Sequence, residues 1–269
     1  AIEVLRPSSI DELHSAVLAR MGREEPLCVV VKSEEQAAYM RAVHAEQPGW
    51  EVTTVMTRSE LDGGVVLTDG EGEWRLEDGE WSVRRMQRLL LPGAGESMND
   101  AVYQESMFAA DGTYVISGGL GYIGQLVAKA MIEHGAQRVV LLSSSRSSLP
   151  EDWEGKVQPV VEKCDLGDLG DVQRVFAAYG STIRGIVHAA GVLSDGTVGE
   201  LGREDFERVY RPKVGGAMNL QECSKELDLD FFVLFSSIAS GFGGGGQTNY
   251  AAANGALDAL AEERAARGA

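Results

Sequence analysis

Short apolar runs alternate with amphipathic stretches along the second part of the chain. The runs rich in Val, Ile, Leu and Phe predict strands, and the stretches between them have apolar residues at helical spacing. The predicted strands are Thr113–Ser117, Arg138–Leu142, Val157–Glu162, Gly185–His188 and Phe231–Phe235. The predicted helices are 122–134, 168–179, 203–226 and 248–267. Regular alternation favours an α/β fold with a parallel sheet covered on both faces.

The first part of the chain has a less regular pattern. It predicts a strand, a helix, a strand, a further apolar run and a hairpin that turns at Asp78–Gly79. These elements are Cys28–Lys32, Glu34–Glu46, Val52–Met56, Val65–Thr68 and Trp74–Val83. A loop at Leu91–Gly95 follows. We place a boundary near residue 110, which gives domains 1–110 and 111–269.

Composition excludes several classes of function. The net charge of −17 disfavours binding to nucleic acid or to an anionic membrane. The apolar runs are strand-sized, well short of the ~18 residues of a membrane helix, and no secretion signal is evident. Cys28, Cys164 and Cys223 are widely spaced and lack CxxC spacing. This pattern indicates a reducing, cytoplasmic environment and predicts no metal site.

A glycine-rich loop follows the strand Thr113–Ser117. Glycines let the backbone approach a pyrophosphate, and the N-terminus of the next helix favours an anion. An ordinary tight turn is the alternative, but the strand–loop–helix context favours a dinucleotide site. The predicted contact residues are Gly118, Gly119, Leu120, Gly121, Tyr122 and Ile123, with Gly124 in the helix.

The ends of the next three strands add candidate nucleotide contacts. Ser144 and Arg146 stand where an acid would bind the ribose of NAD, so they favour the 2′-phosphate of NADP. Asp165, which precedes Leu166, either accepts from the adenine amine or caps the next helix, and both interpretations stay open. The motif His188-Ala189-Ala190-Gly191 leaves room for ribose and nicotinamide, although His188 itself is more typical of a packed strand-end side chain.

Lys213, the serine pair Ser236-Ser237 and Tyr250 offer the groups that reduction of a ketone requires. The phenol can donate a proton and the hydroxyl can bond the carbonyl oxygen as it gains charge. An ammonium beside the phenol would lower its pKa from ~10 toward neutrality. Taken singly, the tyrosine could be a helix-face residue and the lysine a solvated one. The joint pattern favours function.

These motifs resemble the ketoreductase domains of type I polyketide synthases and animal-type fatty acid synthases, within the short-chain dehydrogenase/reductase superfamily. The resemblance rests on residues 117–124, 188–196, 213–220 and 235–254, and it is strongest from 111 to 262. It implies a Rossmann-like, doubly wound parallel sheet in the second domain. For the first domain it implies a smaller, truncated Rossmann-like structural subdomain without a cofactor site.

The resemblance also implies a role for each catalytic residue. Tyr250 would donate the proton, and Ser237, with Ser236 as the alternative, would bond the substrate oxygen. Lys213 would lower the pKa of Tyr250, bind the ribose and join a proton relay with Asn254. Most of the superfamily has Tyr-x-x-x-Lys, whereas here Asn254 lies four residues after the tyrosine and the lysine lies upstream. The synthase ketoreductases share this exchange.

A stereochemical marker of the resembled family is present in Leu193-Ser194-Asp195. Ser194 replaces the more usual first aspartate, and Phe242 stands where the opposite class has tryptophan. The resemblance therefore implies a (3R), or D, hydroxyl product. A solvated loop residue is the alternative interpretation of Asp195.

We expect an NADPH-dependent reductase of β-ketoacyl thioesters held on the phosphopantetheine of an acyl carrier protein, in polyketide or fatty acid biosynthesis. Neighbouring synthase domains are expected partners. The resembled family continues beyond residue 269 with a strand, a lid and a closing strand, which we expect from a longer polypeptide or another chain. Tyr122, where the family has a small residue, leaves a non-catalytic scaffold as one alternative. A free-standing reductase of small ketones is the other.

Overall fold

The computed structural model describes residues 3–23, 26–58, 72–83, 108–146, 148–151, 153 and 157–268, and it is an α/β protein with two sheets. The chain forms two compact units. The first consists of the described parts of Ala1–Met86, Val192–Tyr210 and Ser236–Ala269, and the second of those of Gln87–Gly191 and Arg211–Phe235. Each unit draws on separate stretches of sequence, whereas the predicted domains are continuous. The boundary near residue 110 stays a prediction.

Among the described residues, the sheet of the first unit has five strands that pair in chain order. They are β1 (Glu3–Leu5), β2 (Leu27–Val31), β3 (Val52–Thr57), β4 (Glu73–Glu77) and β5 (Glu80–Val83). The first four are parallel, and β5 is antiparallel to β4. The hairpin predicted at Asp78–Gly79 is confirmed, because both residues have the positive φ that a tight two-residue turn requires. The predicted elements Val65–Thr68 and Leu91–Gly95 lie outside the described residues.

The described parts of the first unit contain five α-helices. They are α1 (Ile10–Leu18), α2 (Glu34–Glu46), α5 (Arg203–Tyr210), α7 (Ile238–Phe242) and α8 (Thr248–Ala266). The helix α8 runs along α2, and Gly255 permits the close approach. A side chain there would come within 2.7 Å of the Ala38 Cβ and the Glu34 carbonyl. The core joins all parts of this unit, since Leu13, Tyr39, Phe206 and Ala252 are buried in one cluster.

A buried charge network lies beside this core. The Arg41 guanidinium, 8% exposed, pairs with Glu34 and with Glu73, each at 2.6 Å. It also donates to the Ser240 carbonyl at 2.6 Å. Burial alone would lower the arginine pKa, but the two carboxylates outweigh it and raise that pKa. The network therefore holds α2, β4 and the start of α7 together.

The second unit contains a parallel sheet in the order β10-β9-β6-β7-β8. The strands are β6 (Thr113–Ser117), β7 (Arg138–Ser143), β8 (Val160–Lys163), β9 (Ile183–His188) and β10 (Phe231–Leu234). The helices are α3 (Tyr122–Glu133), α4 (Leu169–Tyr179) and α6 (Gly216–Ser224). The first strand, β6, lies in the middle of the sheet, with β7 and β8 on one side of it and β9 and β10 on the other. This is the Rossmann strand order, in which the direction of strand addition reverses between β6 and β9. Ligands bind at such a point, at the carboxyl ends of the strands.

The helix predicted over 203–226 is confirmed over residues 203–224, but it is not a regular α-helix throughout. The chain forms α5, then a π-helical segment Arg211–Gly215, then α6. Pro212 lacks an N–H and cannot donate within a regular helix, which accounts for the irregular turn. The strand predicted at Val157–Glu162 begins three residues later, and β1, α1 and α7 were not predicted. No helix in the described part of the chain is long and apolar enough to cross a membrane.

Candidate active site

The glycine loop lies at the point where the second sheet reverses its winding. Gly118 has a φ of +64°, and a side chain there would come within 2.8 Å of the Ala190 backbone. A side chain at Gly119 would come within 2.7 Å of Leu141. Gly121 is the N-cap of α3, and no side chain of the described residues caps this helix. The first N–H groups of α3 therefore face the loop. These positions form a cradle of bare backbone that fits a pyrophosphate.

The remaining side chains of this predicted loop differ in exposure. Leu120 is half-buried and packs toward the core, whereas Tyr122 is 81% exposed and Ile123 is also exposed. Tyr122 therefore does not fill the cradle. A tyrosine at position 122, where the resembled family has a small residue, is therefore compatible with the backbone geometry of the loop.

The predicted nucleotide residues after β7 and β8 also lie at strand ends of the second unit. Ser144 and Arg146 are exposed after β7, where the Ser143 hydroxyl accepts from the Arg146 N–H at 3.2 Å. The Asp165 carboxylate accepts from the Gly167 N–H at 2.9 Å and from Arg211 at 2.6 Å. The helix-cap interpretation of Asp165 is wrong, because Asp168 caps α4.

Asp165 is thus held by the π-helical segment and is still partly exposed. Leu166 is buried, and its carbonyl accepts from Asn219 at 2.7 Å. The end of β8 is therefore tied to both the π-helical segment and α6. A carboxylate fixed in this way can still accept a further hydrogen bond.

His188, at the end of β9, is fully buried and connects three elements. Its Nδ1 lies 2.6 Å from the Ser117 hydroxyl of β6, and its Nε2 lies 2.7 Å from the Lys213 carbonyl. A carbonyl only accepts, so Nε2 carries the hydrogen and Nδ1 accepts from Ser117. Burial lowers the pKa of His188 to about 4, which keeps the ring neutral. The histidine is a packed strand-end side chain, as its position suggested.

Lys213 lies in the π-helical segment, and its side chain is buried. The ammonium donates to the Phe235 carbonyl at 3.0 Å. A side chain at Gly191 would come within 3.6 Å of the same nitrogen. The ammonium is therefore held beside the segment Ala189–Gly191 that follows β9. A buried lysine is costly to maintain, and such groups are concentrated at functional sites.

Three of the predicted catalytic residues belong to the first unit, and Lys213 belongs to the second. The pairing of Lys213 with Tyr250 stays a prediction. In the first unit the Ser237 hydroxyl accepts from the Ala239 N–H at 3.2 Å and caps α7. That bond uses an oxygen lone pair, so the hydroxyl hydrogen can still be donated. Ser236 instead donates to the Asn254 carbonyl at 3.4 Å, which supports the choice of Ser237.

Asn254 and Tyr250 occupy successive turns of α8. The Asn254 amide donates to the Tyr250 carbonyl at 2.7 Å. Its Oδ1 is buried, and no donor within the described residues reaches it. The Tyr250 ring packs against Ala42, Ala239 and Ala251. The helix thus fixes the tyrosine and leaves an amide oxygen able to accept a proton donor such as water.

The predicted stereochemical residues lie in the first unit, Asp195 on a loop and Phe242 at the end of α7. Asp195 is exposed, and both of its oxygens lie 3.2 Å from the Gln247 amide nitrogen. The Ser194 hydroxyl donates to Asp205 at 2.8 Å, so an aspartate at 194 would put two carboxylates together. This contact explains the departure at Ser194 physically. Phe242, 61% exposed, borders a cleft of about 300 Å³ lined also by Arg41 and Thr54.

Sequence reasoning missed two links. One is the bridge from Ser117 through His188 to Lys213, and Pro212 was the available signal that the helix is irregular there. The other is Glu46 at the end of α2, which bonds to backbone far along the chain. Nothing in the local pattern around Glu46 indicates that contact.

The second unit has the strand order and the glycine cradle of a Rossmann domain. A family model described as KR domain matches residues 112–269. The chain belongs to the KR domain family, the ketoreductase domains of modular polyketide synthases.

Curated relatives are large synthases. Polyketide synthase GfsA from Streptomyces halstedii is 37% identical over 241 residues, which are 85% of this chain and 3% of the relative. Erythronolide synthase EryA2 from Saccharopolyspora erythraea is 39% identical over 166 residues, 59% of this chain and 5% of the relative. The chain therefore spans a small fraction of the curated relatives that it matches.

Solved structures give the same family. The ketoreductase from the first module of phoslactomycin biosynthesis in Streptomyces sp. HK803 has a TM-score of 0.82 and 29% identity, and the match covers 99% of this chain and 68% of that one. A structure of A-type ketoreductases from a modular polyketide synthase has a TM-score of 0.76 and 27% identity, with coverage of 96% and 60%. The predicted family and the predicted α/β fold are confirmed.

Proposed function

We propose that this chain reduces the β-keto group of an acyl thioester with NADPH, while the acyl chain is held on the phosphopantetheine of a carrier protein. The observation that carries the proposal is the buried Lys213 ammonium beside Ala189–Gly191, at the sheet edge that also presents the glycine cradle. The membership of the curated relatives in polyketide synthases supports the carrier-bound thioester and neighbouring synthase domains as partners.

The second unit would hold the cofactor. Gly118, Gly119 and Gly121 would receive the pyrophosphate, and Asp165 would accept from the adenine amine. Ser144 and Arg146 would take the 2′-phosphate, which is the basis for preferring NADPH over NADH. Lys213 would donate to the ribose. A bound NADPH would supply the hydride.

The first unit would bind the substrate oxygen and supply its proton. Ser237 would donate its free hydroxyl hydrogen to the carbonyl oxygen, which becomes more basic as the carbon is reduced. Tyr250 Oη would then give its proton to that oxygen. Asn254 Oδ1 would accept from a water that returns a proton toward the tyrosine. Asp195 would favour the (3R) hydroxyl, and Phe242 would border the acyl chain.

The central test removes the proposed acid. Tyr250→Phe should lower the rate of NADPH consumption with an acetoacetyl or diketide thioester by roughly 10²–10⁴, because a positioned acid contributes that much. Tyr179→Phe is the matched control, since that hydroxyl lies in the second unit and donates to half-buried Glu162 at 2.9 Å. Binding of NADPH, followed by fluorescence, should be retained in both variants.

Four results would contradict the proposal in different ways. An unchanged rate in Tyr250→Phe would remove the tyrosine as acid. Equal rates with NADH would remove the role of Arg146. Cofactor binding without turnover of any β-ketoacyl thioester would leave a non-catalytic scaffold as the function. A (3S) product, by chiral chromatography, would overturn the role given to Asp195.

A further inference from the structure

Two loops of the first unit carry or flank the residues that the proposed function assigns to the substrate. One spans residues 192–202 and contains Asp195. The other spans residues 243–247 and connects α7, which begins after Ser237, to α8, which carries Tyr250. The inference below rests on the proposed function, because it concerns how these loops are held for the reaction.

A single carboxylate from α2 bonds to the backbone of both loops. The two oxygens of Glu46 lie 2.8 and 3.1 Å from the Val198 N–H, and one of them lies 3.2 Å from the Gly246 N–H. These partners are 152 and 200 residues away along the chain. Bonds from backbone N–H groups to a carboxylate are charge-assisted and therefore stronger than bonds between neutral groups, so they fix the position of both loops.

The two loops also bond to each other beside Glu46. The Gly196 N–H donates to the Gly246 carbonyl at 2.9 Å. Gly246 has a φ of +77°, and Gly243, with a φ of +76°, packs against the Arg41 backbone of α2. The bond from Gln247 to Asp195 completes the junction. The position of Asp195 relative to the starts of α7 and α8 therefore depends on what holds this junction.

The loop of residues 192–202 is largely exposed on its approach to the junction, although Ser194 within it bonds to Asp205 and Asn249. Asp195 is exposed, as are Val192 and Leu193 on the approach to it. The loop reaches the core again at Val198, which is fully buried. Glu46 bonds to the N–H of this same residue. The Glu46 carboxylate therefore holds the loop at the residue where it passes from exposed to buried. This contact fixes the position of the exposed residues that precede Val198.

We propose that Glu46 is a positioning residue for stereocontrol, which holds the loop of Asp195 against the loop between α7 and α8. Through it the first part of the chain contributes to selectivity without contacting the substrate. Loss of the carboxylate lets the two loops shift relative to each other, so both faces of the ketone become accessible. The proton-donating machinery on α8 keeps its own contacts.

The test compares Glu46→Gln with a control carboxylate in the same unit. Glu12→Gln is the control, because Glu12 also accepts from a backbone N–H, that of Ser8 at 2.8 Å, and its side chain is exposed at the start of α1. The assay is the enantiomer ratio of the hydroxy product from a β-ketoacyl thioester, by chiral chromatography. We expect the ratio to fall roughly tenfold in Glu46→Gln, since an amide keeps one acceptor oxygen and loses the charge. We expect no change in Glu12→Gln.

A second measurement tests the positioning independently of activity. Hydrogen–deuterium exchange at Val198 and Gly246 should be roughly tenfold faster in Glu46→Gln, while exchange in β2 should stay as in the wild type. Glu46→Asp, which keeps the charge but is one methylene shorter, serves if Glu46→Gln does not fold. An unchanged product ratio with unchanged loop exchange would overturn the inference, as would an equal change in Glu12→Gln. Absence of reduction by the wild type, with faster loop exchange in the variant, would instead overturn the proposed function.

Discussion

Replacing Gly118 by alanine tests whether the glycine cradle is set by backbone geometry. Two separate costs are expected. The φ of +64° places the residue in the left-handed region, where a Cβ costs roughly 1–2 kcal/mol. The new Cβ would also lie 2.8 Å from the Ala190 backbone nitrogen and Cα, well inside ordinary contact. Backbone cannot rotate away as a side chain can, so β6 and the end of β9 must separate locally.

The size of the second cost follows from this overlap. Overpacking by one methyl group typically costs about 1–3 kcal/mol. The sum predicts a loss of roughly 2–5 kcal/mol in the free energy of unfolding. The separation would also move Ala190 away from the cradle, so binding of the dinucleotide should weaken.

Gly22→Ala is the matched control for the backbone term. Gly22 has a φ of +79°, and a side chain there would meet nothing within 4 Å. Urea unfolding of both variants, with NADPH titration of each, separates the two costs. Gly118→Ala should be less stable than Gly22→Ala by about 1–3 kcal/mol, and it alone should bind NADPH more weakly. Equal stability losses, with unchanged cofactor binding in both, would refute the reasoning.

Two further predictions concern buried charge. Because the pKa of His188 falls from its ordinary 6.5 to about 4 in the folded state, the unfolded state binds the proton first. Stability is thus full above pH 6.5 and falls by about 3 kcal/mol between pH 6.5 and 4. His188→Asn should flatten that slope in urea unfolding across this range, and an unchanged slope would count against the assignment. Arg41→Met should lower stability by about 3 kcal/mol, since buried Glu34 would keep only Arg75 among these guanidinium groups and half-buried Glu73 would lose Arg41. A loss below about 1 kcal/mol by thermal unfolding would show that water replaces the guanidinium.

Local patterns predicted the regular elements of both sheets well. The strand Thr113–Ser117 and the helix Glu34–Glu46 have the bounds read from the sequence, because burial on both faces gives continuous apolar strands and capping serines mark helix starts. The three-residue strand β1 is too short to show periodicity. The π-helical turn escaped prediction because one extra residue per turn does not alter composition, although Pro212 marked the place.

The candidate site residues could be predicted from sequence motifs, but the hydrogen bonds that hold them in place could not. Lys213 and His188 were identified from motifs, whereas the hydrogen bond between them joins residues 25 apart that only the folded sheet brings together. The same holds for Glu46, whose partners come from loops with no regular pattern. From sequence alone, a carboxylate at the end of a helix is expected to be solvent-exposed. Its buried contacts become known only when the loops packed against it are known.

The interleaving of the first unit has a consequence for synthesis of the chain. Residues of the N-terminal sheet emerge from the ribosome first, yet their core includes Phe206 on α5 and Ala252 on α8. The described strands of the second sheet have been translated by Leu234, before α8 exists. The core of the first sheet therefore waits for helices made much later, and until α8 is made the face of α2 that packs against it stays uncovered.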